Sequence, residues 1–133
     1  MAHDSFDPFG NERSPRPLGP AGHAVMDYLT AGMFVALAVA LRRTHRQASI
    51  LALVNGAAIL ASSMLTDYPG GVARVISFGT HGKLDVALTG LTAAGPALLG
   101  FAGDPEARWF YGQAGLEAGV IAATDFRGAE PRG

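Results

Sequence analysis

Uncharged stretches dominate the chain and are separated by short polar breaks. Residues 47–66 (QASILALVNGAAILASSMLT) and 86–103 (VALTGLTAAGPALLGFAG) carry no charged side chain. Residues 28–41 (YLTAGMFVALAVAL) are also uncharged, and 109–124 (WFYGQAGLEAGVIAAT) hold one acid, Glu117. A helix needs about 20 apolar residues, at about 1.5 Å rise each, to cross about 30 Å of hydrocarbon. Four such runs predict an all-α, four-helix transmembrane bundle. A soluble bundle would need a charged outer face on each helix, and these helix bodies have none.

The predicted helices cover about 23–43, 48–66, 80–102 and 107–125. RRTHR makes the first turn, and TDYPGG stops the second helix through Pro69 and its glycines. Pro96 falls inside the third helix as an expected kink. Residues 1–22 form a polar, Pro- and Gly-rich extramembrane extension without the apolar core of a secretion signal, and 127–133 form a polar tail. Phe6 and Phe9 are candidate partner anchors in the extension.

The polar residues recur in register. A 58-residue shift places His23 on His81, Asp27 on Asp85, Thr66 on Thr124 and Asp67 on Asp125. Gly32 meets Gly90, Asn55 meets Gln113 and Tyr68 meets Phe126. Scarce polar residues agreeing at equivalent helix ends point to a tandem duplication of a helical hairpin, residues 23–75 and 81–133. Two spans per copy bring both copies into the membrane from the same side, as parallel repeats. His23, Asp27, Asp67, His81, Asp85 and Asp125 are then expected to form one polar rim.

HAVMDYLTAG, SSMLTDYPGGVARVI and HGKLDVALTGLTAAGPALLGFAG resemble the SPW-repeat proteins, small bacterial membrane proteins built from two helical hairpins. The likeness covers about residues 23–126. That family has no established activity, so the resemblance implies a fold and a bacterial inner membrane (cytoplasmic or intracytoplasmic), but no reaction. The tripeptide that names it would fall at Gly95-Pro96-Ala97, where the proline alone remains, and at Leu37-Ala38-Val39, where none of it does.

Composition narrows the chemistry. The formal net charge is −1 and charged residues make up 16% of the chain, so the basic face of a nucleic-acid binder is missing. Without cysteine there is no disulfide, thiolate nucleophile or Cys-ligated metal. No nucleophile elbow, phosphate loop or dinucleotide fingerprint occurs, so no enzyme is expected. Arg42, Arg43, Arg46 and Arg108 lie at one end; Arg13, Arg16, Arg74, Lys83, Arg127 and Arg132 lie at the other. The larger number favours cytoplasmic termini, the denser RRTHR cluster the reverse, and orientation stays open.

His and Asp at i and i+4 share a helix face. The leading reading of the rim is a structural clasp. Metal binding at His23, Asp27, His81 and Asp85, or proton chemistry there, is the alternative. Haem or pigment ligation fits less well, because the histidines sit near the membrane surface among carboxylates. Glu117, an acid at membrane depth, is a separate candidate with Gln113 one turn away. Gly112, Gly115 and Gly119 permit close helix packing, and Trp109, Phe110 and Tyr111 suit an interfacial belt. The expected role is a non-catalytic accessory subunit of a larger membrane assembly, of respiratory or photosynthetic type. Its expected partners are lipid and other membrane subunits, with no cofactor required.

Overall fold

The computed structural model describes residues 16–127. They form four helices, α1 (Pro20–Leu41), α2 (Arg46–Leu65), α3 (Phe78–Leu98) and α4 (Ala107–Ala123), with no strand among the described residues. Two of them, α1 and α2, are long and apolar enough to cross a membrane. Phe6, Phe9 and Arg132 lie outside the described residues.

Local chemistry sets the helix ends. Pro20 opens α1 at its first turn, where a missing N–H costs nothing. His45 caps α2, its Nδ1 accepting from the Ala48 N–H at 3.2 Å. The Ser77 hydroxyl caps α3 in the same way through the Thr80 N–H, 3.1 Å away.

α3 ends earlier than expected, at Leu98 rather than near residue 102. Gly100, at φ +78°, takes the left-handed conformation that closes the helix. The Phe101 N–H returns to Pro96 O at 2.8 Å and the Gly100 N–H to Ala97 O at 3.2 Å. Pro96 therefore stands in the last turn, next to a stop.

The segment after α2 folds back on that helix's end. Val72 and Ala73 donate to Met64 O, and Val75 and Ile76 to Leu65 O, at 2.7–3.0 Å. Carbonyls that a helix end leaves unpaired thus gain partners. At the end of α4 the Leu18 N–H donates to Ala123 O at 3.0 Å and the Asp125 N–H to Leu18 O at 2.9 Å. The first of these is the Ile76–Leu65 bond shifted by 58 residues.

α1 packs along α2, α3 along α4, and α2 against α3. α1 and α2 approach closely, since a Cβ on Gly56 would lie 3.2 Å from Ala31 O. A larger apolar core (Phe34, Ala38, Leu51, Ile59, Phe101, Phe110) fills one part of the bundle. A smaller one (Ala24, Tyr68, Phe78) lies at the end where α1 and α3 begin.

Candidate functional site

The first turns of α1 and α3 each carry a histidine four residues before an aspartate, and the two helices bring these pairs face to face. His23, Asp27, His81 and Asp85 are all buried, with 0 to 5% of each residue exposed. Their shortest contacts run across the pairs. His23 Nε2 is 2.8 Å from Asp85 Oδ2, and His81 Nε2 is 2.9 Å from Asp27 Oδ2. Within each pair the separations are longer, 3.3 Å for His23–Asp27 and 3.2 Å for His81–Asp85.

Threonine assigns the imidazole tautomers. Thr124 Oγ1 donates its one proton to Val120 O at 2.6 Å, so it can only accept from His23 Nδ1, 2.8 Å away. Thr66 Oγ1 donates to Ser62 O at 2.6 Å and accepts from His81 Nδ1 at 2.7 Å. Both Nδ1 atoms therefore carry hydrogen, and both Nε2 atoms turn towards the carboxylates. The hydroxyl of Ser62 also lies 3.1 Å from His81 Nδ1.

His23 Nε2 meets Asp85 as an ordinary hydrogen bond. His81 Nε2 does not: it is close enough to both carboxylates, yet its direction makes no hydrogen bond with either. A misaligned N–H is a weak donor even at a short distance.

Tyr68 completes the site by donating its hydroxyl to Asp27 Oδ2 at 2.8 Å. Burial pushes the Tyr68 phenol above its ordinary pKa, so it remains a donor at neutral pH. Phe78 and Phe126 stand edge-on to His23, with ring centres 5.5 and 5.2 Å away, and close the cluster from outside.

Asp67 and Asp125 lie apart from these four residues. Asp67 is exposed and faces Arg74 at 3.8 Å; Asp125 Oδ1 accepts from the Arg127 N–H at 3.0 Å. Glu117 is buried and accepts from Gln113 Nε2 at 3.1 Å. A small cavity, with room for about one water, lies between Glu117, Asp27, Asp85, Thr89 and Thr92. The buried Thr89 hydroxyl lines it without a protein hydrogen-bond partner.

Gly112, Gly115 and Gly119 face no neighbouring helix among the described residues, because a Cβ on any of them would meet nothing within 4 Å. The close helix contacts belong instead to Gly56, against Phe34 and Ala31, and to Gly95, against Leu51. Trp109 and Tyr111 are exposed, while Phe110 is buried and stacks on Phe34.

A second pairing joins the two turns at the far end. His45 Nε2 lies 2.8 Å from Asp104 Oδ2 and 4.0 Å from Glu106 Oε2. Its Nδ1 is already an acceptor in the α2 cap, so the hydrogen sits on Nε2 and is donated to Asp104. At the inner cluster the threonines instead hold each Nδ1 as a donor, and the Nε2 atoms of both histidines face two acids.

Sequence reasoning did not assign roles to Thr66, Thr124, Tyr68 or His45. For the threonines a signal existed, since they coincide in the 58-residue register. Comparison of the chain with family models, curated proteins and solved structures finds no match in any of the three.

Proposed function

We propose that this chain is a four-span, non-catalytic protein of a bacterial inner membrane, built from a duplicated helical hairpin. In this reading it serves as a structural subunit of a larger membrane assembly. One observation carries the proposal: large apolar side chains are exposed on all four helices while polar ones are buried between them. Val25, Leu29, Leu53, Val54, Val86, Leu98 and Leu116 are each at least half exposed. Asn55, Thr92, Gln113 and Glu117 are buried with the His/Asp cluster. In water such a surface would be a large liability, whereas lipid is the solvent it matches.

The duplication draws support from contacts that repeat with the 58-residue shift: the His23–Thr124 hydrogen bond with His81–Thr66, and the close approach of His23 to Asp85 with that of His81 to Asp27. The SPW-repeat resemblance agrees with this architecture. The subunit role draws on the apolar outer faces and the open glycines of α4, which leave room for a neighbouring helix.

Two measurements test the proposal. The native chain has no cysteine, so single cysteines at Arg43, Ala73 and Asp104 can be labelled with a membrane-impermeant maleimide in intact vesicles. Four spans put Arg43 and Asp104 on one side and Ala73 on the other. All three labelling from one side would end the four-span reading. Isolation from native membranes in mild detergent should retain stoichiometric partner subunits; a protein that emerges alone is not an accessory subunit.

A proton-transfer role is a second reading, favoured by the cavity between Glu117 and the Asp27/Asp85 carboxylates. Proteoliposomes carrying an internal pH dye would show proton flux that Glu117→Gln abolishes.

A further inference from the structure

We propose that His23, Asp27, His81 and Asp85 bind one divalent first-row metal ion, zinc by preference, in a closed tetrahedral site. The proposal rests on this cluster alone and holds whether or not the chain has four spans.

The donor set is the first argument. Both Nδ1 atoms are occupied as donors to threonine, so each histidine offers Nε2 to a common point. Metal-ligating histidines are held in this way by a hydrogen bond from the other ring nitrogen. Two imidazoles with two carboxylates suit zinc, and the two negative charges balance a divalent cation in a buried place.

The spacing is the second. Metal–ligand bonds of about 2.0–2.1 Å in a tetrahedron put neighbouring donor atoms about 3.3 Å apart. With Asp27 Oδ2 and Asp85 Oδ2 as the oxygen donors, three nitrogen–oxygen separations are 2.8, 2.9 and 3.2 Å, and His23 Nε2 lies 3.3 Å from the other Asp27 oxygen, Oδ1. All four residues bring a donor atom within 4.8 Å of one another. An ion at the centre would move the two shorter pairs outward.

The third argument is His81 Nε2. It is buried, lies between two carboxylates and forms a hydrogen bond with neither. A clasp made only of hydrogen bonds gains most when each N–H points at an oxygen. Donors converging on a shared centre do not aim at each other. The support around the site fits the same conclusion, since Tyr68 holds Asp27, the threonines hold both rings, and Phe78 and Phe126 exclude water.

The His45, Asp104 and Glu106 group at the opposite end is the natural control. There Nδ1 accepts from a backbone N–H instead of donating to a threonine, and Asp104 is half exposed.

The full chain, purified in mild detergent and stripped of metal with a chelator, is titrated with Co²⁺ alone and then with Zn²⁺ alone. The expected result is one Co²⁺ per chain with the strong visible absorption of tetrahedral cobalt, displaced by one equivalent of Zn²⁺. No stoichiometric binding, or the faint spectrum of six-coordinate cobalt, overturns the proposal. Asp85→Asn should weaken binding by about 100-fold or more, and Thr124→Val by about 10- to 100-fold. His45→Ala should leave metal binding unchanged, and loss of the ion in that variant would move the site elsewhere and refute the assignment. Should Asp85→Asn lose its helical circular dichroism, the cobalt spectrum of the unaltered chain decides alone.

Discussion

His23 and Asp85, 62 positions apart, meet at 2.8 Å, closer than either approaches the partner one turn away on its own helix. The contact joins α1 to α3 and hence one hairpin to the other. Removing one member of a buried charged pair costs about 3–5 kcal/mol, because the other is left buried and unpaired. Asp85→Val and His23→Leu are each expected to destabilise the protein by about that much in metal-free detergent solution. The double variant should cost less than either single one, since His81 and Asp27 remain together at 2.9 Å. Denaturation followed by circular dichroism measures all three.

The outer faces of α2 and α3 allow a sharp test of environment. Leu53 and Val86 are 55% and 59% exposed. On a water-facing surface, Leu53→Arg or Val86→Arg would change stability by less than about 0.5 kcal/mol. Facing lipid, each costs about 2.5–3.5 kcal/mol of insertion free energy at the centre of a span. Both variants are expected to fall sharply in the membrane fraction; undiminished yield of the α3 variant would remove that helix from the bilayer.

Glycine substitutions should divide into two groups. A Cβ on Gly71 would sit 1.9 Å from Thr66 O, a backbone atom that cannot swing away. Gly71→Ala is therefore expected to cost more than about 3 kcal/mol by rebuilding the turn after α2. Gly115→Ala meets open space and should stabilise α4 by up to about 1 kcal/mol through helix propensity. Thermal unfolding in detergent compares them. Gly115→Leu, equally stable alone, should lose a partner subunit that seats on that face.

His45→Ala removes both a helix cap and the Asp104 contact. The loss of the cap alone is expected to cost about 1–2 kcal/mol. His45→Asn restores the capping acceptor without reaching Asp104. Its stability should fall between those of the native chain and the alanine variant in the same denaturation measurement.

Much of this arrangement is legible in the sequence because polar residues are rare along the apolar runs. Their shared register ties His23 to His81 and Thr66 to Thr124 before any coordinates are considered. The crossed pairing was not legible, since an i to i+4 spacing describes one helix and says nothing of the distance to the next. Gly115 and Gly119 have the spacing of a packing motif, yet Gly56 and Gly95 make the close contacts. Spacing identifies a smooth face but not what lies opposite it. His45 and Asp104 sit in two turns of unequal length, 59 positions apart, outside the register that exposes the other pairs.

Because the crossed contacts draw one histidine and one aspartate from each hairpin, neither hairpin holds a finished set. A ribosome delivers α1 and α2 first, so His23 and Asp27 must wait, half-matched, until α3 emerges. The arrival of the second hairpin is then expected to complete the cluster, and a nascent chain halted near residue 75 is expected to be sensitive to proteolysis. Two halves made as separate polypeptides should find one another and mature together, while either half made alone should be degraded.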